Sequence, residues 1–117
     1  MEFYYHEHDH DVLVLAADGG LNADTAESFL KQLETLVDAG VSRIIVDCSK
    51  LQYISSYGIG VLVRLHQNLA RHGGDVKVAG AKSLVLQTLN VMRMGTLFEI
   101  HPDVDRARLA FRPKNAQ

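Results

Sequence analysis

Two adjacent serines, Ser55 and Ser56, stand immediately ahead of the run Tyr57-Gly58-Ile59-Gly60-Val61-Leu62. Hydroxyls at the start of a helix-like segment can do one of three things. They can cap the helix by accepting from its free backbone N–H groups. One of them can act as a nucleophile beside a base and an orienting acid. Or one can carry a phosphate, which the unpaired N–H groups and the positive end of the helix dipole would accommodate. The nucleophile reading could draw on Asp47 and on six histidines, but the chain lacks the Gly-x-Ser-x-Gly elbow of a serine hydrolase. It also lacks a Gly-x-x-x-x-Gly-Lys-Ser/Thr phosphate loop, and Gly58-Ile59-Gly60 has no third glycine to complete a dinucleotide fingerprint. Catalysis therefore has no motif to stand on, and the chain is expected not to be an enzyme.

Two other groups of reactive side chains carry less. Histidines at alternate positions of a strand project to one side, so His6-Glu7-His8-Asp9-His10 could offer imidazoles to zinc. If the first strand ends near Glu7, however, His8 and His10 fall in a turn, and the segment is expected to be a solvated hairpin tip with no metal. Cys48 is the only cysteine. It excludes an intramolecular disulfide and a cysteine-based zinc site, fits a reducing compartment, and closes an apolar run as a small buried hydrophobe. Asp47 beside it has the place of a strand-end acceptor that ties down the following loop.

These residues need a scaffold, and the apolar pattern supplies one. Phe3 to His6 and Asp11 to Leu15 read as short strands around a turn at Glu7 to His10, closed by Gly19-Gly20. Asn22 to Thr25 offers cap chemistry for a helix whose apolar stripe is Ala26, Phe29, Leu30, Leu33, Leu36 and Val37. Arg43 to Cys48 is nearly all apolar, as in a strand covered on both faces. A helix from Gly58 to about Arg71, a strand from Asp75 to Gly80, a helix from Ser83 to Met94, an extended piece at 97–100 and a last helix from Pro102 to about Phe111 complete the chain. The expected fold is α/β, one domain over residues 1–117 with a core to about 111 and a tail at 112–117. The order β-β-α-β-α-β-α gives a mixed sheet of four to five strands with helices packed on it. Loops leading into the helices gather at the carboxyl ends of the strands, where function is expected.

Composition narrows the function class. With 117 residues, 47% hydrophobic and 22% charged, the chain has the means to bury a core. A formal net charge of −2 provides no basic field for nucleic acid. No apolar stretch approaches the ~20 residues of a membrane helix, and the histidine-rich, acidic start is unlike a signal peptide. The dispersed arginines 64, 71, 93, 106 and 108 read as a solvated face.

The stretch Asp47-Cys48-Ser49, followed by Tyr53-Ile54-Ser55-Ser56-Tyr57-Gly58-Ile59-Gly60-Val61-Leu62, resembles the STAS domain of anti-sigma factor antagonists. The likeness extends upstream to Gly19-Gly20-Leu21-Asn22-Ala23-Asp24-Thr25-Ala26 and downstream through His72-Gly73-Gly74 to Leu97-Phe98-Glu99-Ile100, so it covers essentially the whole chain. In that family the serine two positions before the first glycine is the phosphoacceptor. The resemblance thus implies Ser56, with Ser55 as its rival; the family places Asp before the acceptor and Ser or Thr after it, where this chain has Ser55 and Tyr57. It further implies a bacterial, cytoplasmic switch in transcription control. The unphosphorylated chain binds an anti-sigma factor that is also a serine kinase, phosphorylation releases it, and a PP2C-type phosphatase restores it. No cofactor is implied, and the free chain is expected to be a monomer. Asn22, Ser55, Tyr57, Gly58, Gly60, Val61 and Leu62 are the expected partner contacts, the glycines because they slim the first turn and let another backbone approach. The alternative is a STAS subunit without a switch, in a signalling scaffold or beside a lipid or anion transporter, with Ser56 a mere cap.

Overall fold

A computed structural model describes residues 2–9 and 12–111, the first eight by their backbone alone. The elements are β1 (Glu2–Asp9), β2 (Val12–Leu21), α1 (Ala23–Asp38), β3 (Arg43–Ile54), α2 (Ser56–Arg71), β4 (Asp75–Ala79), α3 (Ser83–Val91), a 3-10 turn (Met94–Thr96), β5 (Glu99–His101) and α4 (Val104–Ala110). They form the expected mixed α/β architecture. The five strands lie in chain order, β1 antiparallel to β2 and the remaining neighbours parallel.

Strand alternation sorts the apolar residues onto two faces. Leu15, Ile44, Val46, Val76 and Val78 join Phe29 and Leu33 of α1, Leu62, Leu65 and Leu69 of α2, and Val85 and Leu89 of α3 in the main core. Val12, Val14, Ile45 and Ala79 on the opposite face meet Ala107 and Phe111 at α4. Three helices therefore cover one side of the sheet and the short last helix covers part of the other.

Lys77 is a buried charge on the α4 side. Its Nζ lies 3.0 Å from Glu99 Oε2, 3.3 Å from Asp75 Oδ2 and 4.5 Å from the centre of the Phe111 ring. The hydrogen bond from Lys77, then that from His101, hold the Glu99 carboxyl below the usual glutamate range. A lowered folded-state value contributes stability above the unfolded carboxyl pKa, and that contribution is lost as pH falls through the folded value. Because Glu99 is half exposed, the gain is at most about 1 kcal/mol. Urea unfolding from pH 7 down to pH 3 should accordingly show a shallower acid limb for Glu99→Gln than for the wild type; parallel limbs would exclude this pair as a contributor.

Three expectations about element limits are corrected. The first strand continues to Asp9, through residues expected to belong to the turn at Glu7 to His10, and its register shifts between Tyr5 and Glu7. The histidine side chains at 6, 8 and 10, like the tail from 112 onward, lie outside the described residues. Gly19 and Gly20 do not close the hairpin: β2 runs through both to Leu21. Nor does β3 stop at Cys48. Ser49 to Ile54 continue it, paired with Asp18 to Leu21 of β2. Since β4 ends opposite Asp47 and the described pairing with β1 ends at Asp18, β2 and β3 form a two-stranded ribbon from Gly19 and Leu51 onward.

Candidate functional site at the amino end of the second helix

The ribbon decides where the two longest helices begin. Leu21 and Ile54 are register partners at the ends of β2 and β3, so the next residues, Asn22 and Ser55, come out side by side as the N-caps of α1 and α2. The backbone N–H of Ser55 donates to the Leu21 carbonyl at 2.8 Å. Each cap satisfies its own helix. Asn22 Oδ1 accepts from the backbone N–H groups of Asp24 at 3.0 Å and Thr25 at 3.1 Å, while Thr25 Oγ1 accepts from the Asn22 backbone at 2.9 Å, a reciprocal capping box. Ser55 Oγ accepts from the Gly58 backbone N–H at 3.3 Å.

The two serines thus differ in role. Ser55 is the cap and is half-buried; Ser56 is the first residue of the helix and is exposed. The backbone N–H groups of the first turn not taken by Ser55 lie beside Ser56, and that turn contains no acidic side chain. Tyr57 next to it is 67% exposed.

Gly58 lies against the ribbon. A Cβ there would come within 2.6 Å of Ile54 Cγ1, 2.8 Å of Leu21 Cδ2 and 3.0 Å of the Leu21 carbonyl oxygen. Gly60 faces open space, with nothing within 4 Å of such a Cβ. Val61 and Leu62, expected among the surface contacts, are both buried, because α2 turns these positions inward against α1 and the sheet. Leu62 belongs to the main core. Val61 is the floor of a groove of about 860 Å³ between α1 and α2, which also includes Ala26 and Leu30 below and Ser56, Tyr57 and Gly60 along one edge. Glu27, Lys31 and Glu34 from α1 and Arg64 from α2 border the same groove.

Sequence reasoning passed over Tyr53. Its hydroxyl accepts from Asn22 Nδ2 at 3.0 Å, and its ring lies over Gly20, where a Cβ would come within 2.1 Å of a ring carbon. The signal was Gly20 itself, a residue without a side chain opposite an aromatic one, but only the register identifies the pair. Asp47 does what its place suggested: buried, it accepts the Ser49 backbone N–H at 3.0 Å through Oδ1. Burial, followed by the Asp47 charge, pushes the Cys48 thiol up to about 12, so it stays protonated and a poor nucleophile. Among the described residues no three His, Cys, Asp or Glu side chains gather as a metal site, and no helix is long and apolar enough to cross a membrane.

Residues 5–107 match the family model of the STAS domain. The chain belongs to the STAS domain family. Among relatives of this STAS domain is BtrV of Bordetella bronchiseptica, named as a candidate anti-sigma factor antagonist, 26% identical over 86% of this chain and 87% of that protein. Its fold is similar to the crystal structure of a candidate anti-sigma factor antagonist from Thermotoga maritima, with a TM-score of 0.89, 22% identity and 95% of each chain covered. It is also similar to SpoIIAA, a Bacillus cell fate determinant, solved in its phosphorylated form, with a TM-score of 0.74, 16% identity, 95% of this chain and 100% of that one. The sheet and the helices packed on it are thus those of the STAS fold.

Proposed function

We propose that this STAS domain is an anti-sigma factor antagonist that binds its partner around Ser56 and is released when Ser56 is phosphorylated. The observation that carries the reading is that Ser56 is exposed at the first turn of α2, on the edge of the groove between α1 and α2. A phosphate there meets unpaired backbone donors and the positive end of the helix, so the domain keeps its shape. It also adds ~1.5 to 2 negative charges to a surface whose floor is apolar, which repels and desolvates badly against a partner fitted to the neutral form. Similarity to relatives named as anti-sigma factor antagonists, and to one solved with phosphate attached, supports the same reading.

In this proposal the partner is an anti-sigma factor with serine kinase activity, a PP2C-type phosphatase resets the switch, and the exchange takes place in the cytoplasm. The domain itself is a binding module and performs no catalysis. Tyr57 and Gly60 face the partner directly. Asn22, Ser55 and Gly58 position the first turn, and Val61 contributes the floor beneath it. Ser55 is the less suitable acceptor, because its oxygen already holds the Gly58 N–H. The test is to incubate the domain with ATP and a serine kinase encoded beside it and to locate phosphate by mass spectrometry. Incorporation at Ser56, abolished by Ser56→Ala and kept by Ser55→Ala, is the expected result. Phosphate on Ser55 alone, or on neither serine, would move the switch elsewhere.

A further inference from the structure

A second surface lies away from the Ser56 groove, on α3 and the turn that follows it. α3 is apolar on both sides. Val85 and Leu89 are in the main core, yet Leu84 is 59% and Val91 75% exposed, with Met92 and Leu97 also exposed large hydrophobics. Of the exposed large hydrophobic residues in the described part of the chain, these four form the majority. Leu84 and Val91, seven residues apart, share the outer side of α3 with exposed Gln87 and Asn90, and exposed apolar side chains recurring on one face mark an interaction surface.

The charged side chains that α3 and its flanking turns themselves carry have one sign. From Val78 to Phe98 the chain contains no Asp or Glu, and its charged side chains are Lys82 and Arg93, one at each end of α3. Both are exposed, and among the described residues neither forms an ion pair. The whole chain has a formal net charge of −2, so this segment runs against the balance of the molecule. Both ends of α3 also hold non-glycine residues in the left-handed region, Ser83 at φ 49° and Arg93 at φ 57°. Such conformations cost on the order of 1 kcal/mol or more and gather at functional surfaces.

We infer that α3 and its following turn are a docking surface for an amphipathic helix with acidic flanks, supplied by a partner protein. Leu84, Val91, Met92 and Leu97 receive the apolar stripe of that helix, and the methionine adapts to its shape. Lys82 and Arg93 receive its carboxylates. A second copy of this chain fits poorly, since a twofold interface opposes a patch to itself and brings cation to cation. A lipid surface fits poorly too, since anionic membranes are recognised by clusters of about four to eight basic residues, where this surface offers two. The surface is separate from the Ser56 reading and survives its failure.

The test uses the full chain and two labelled peptides with the same leucine stripe, one flanked by glutamates and one by lysines. Fluorescence anisotropy at ~0.15 M salt, near a Debye length of about 8 Å, should show the acidic peptide binding at least tenfold more tightly. Val91→Glu, at an exposed position that leaves the fold intact, should weaken it at least tenfold. Arg93→Asn, which keeps a residue at ease in the left-handed region, should weaken it several-fold, and the Met92 methyl resonance should shift on binding. Ser56→Asp should change none of these values. Equal binding of the two peptides, or indifference to Val91→Glu, overturns the assignment. Sedimentation to phosphatidylglycerol vesicles that Val91→Glu abolishes, or dimerisation that it abolishes, would instead give the surface to lipid or to a second copy and overturn it as well.

Discussion

Gly58→Ala is expected to destabilise the domain by ~2–3 kcal/mol, while the same change two residues later, Gly60→Ala, stabilises it by up to ~1 kcal/mol. Helix propensity alone gives both substitutions the same favourable sign, worth about 1 kcal/mol at an interior position. Packing separates them. The added methyl at Gly58 meets Ile54, Leu21 and the Leu21 carbonyl oxygen at 3.0 Å or less. Two of these are side-chain carbons packed in the main core, which yield only by repacking it, and the third is the carbonyl oxygen that accepts the Ser55 N–H. Overpacking a site of this kind costs about 1–3 kcal/mol, and distortion of the cap removes part of the ~1 kcal/mol a cap contributes. At Gly60 the methyl enters open space. Urea or thermal unfolding of the two variants measures the contrast, and a similar change in both would mean that the first turn of α2 is not seated on the ribbon. Gly58 thus lies beneath the first turn of α2 and fixes its position on the ribbon.

Ser56→Asp is expected to weaken binding to the proposed anti-sigma partner about 100-fold or more, ~2.7 kcal/mol, with Ser56→Ala close to wild type. Stability should move the other way. An acidic side chain in the first turn of a helix gains about 0.3–1 kcal/mol from the macrodipole, and α2 has none there. A variant that folds slightly better and binds far worse separates a switch on contact from a loss of structure. Aspartate brings one charge against the ~1.5 to 2 of a phosphate, so the modified protein should bind more weakly still. Calorimetric titration of purified partner against the two variants decides it. If Ser56→Asp binds as tightly as Ser56→Ala, the groove edge is not where the partner sits.

Much of the frame was legible because the helices and the inner strands repeat in the ordinary ways. Ala26, Phe29, Leu30 and Leu33 recur at helical spacing and are all buried in α1. Ile44 to Val46, the apolar centre of Arg43 to Cys48, lies between two other strands with helices on both faces, as a nearly all-apolar run requires. The ribbon escaped notice for a physical reason. In β3 the buried residues Cys48, Leu51 and Ile54 recur every third position, because the register slips between Ala16 and Asp18 and again between Gly19 and Gly20. Each slip sets two residues of β3 against one of β2, so the inward position is delayed by one. A period of three matches neither strand nor helix. The resemblance points to the start of α2 as a whole, Val61 and Leu62 included, while the helix turns only one side of that start to solvent and buries these two. The pair Asn22 and Tyr53, 31 residues apart, needs the register to be seen at all.

The two slips in β3 also make the stretch between Asp47 and Ser56 a measured spacer. Asp47 is anchored by its place in the sheet opposite Ala79, and Ser56 begins α2. Between them each extra residue has been absorbed as a local kink that keeps Leu51 and Ile54 pointing inward. Removing one residue would send side chains from the wet side to the dry side and carry the serine around the axis of its helix. The length of this stretch is thus a structural constraint in its own right, apart from the chemistry of the side chains it carries.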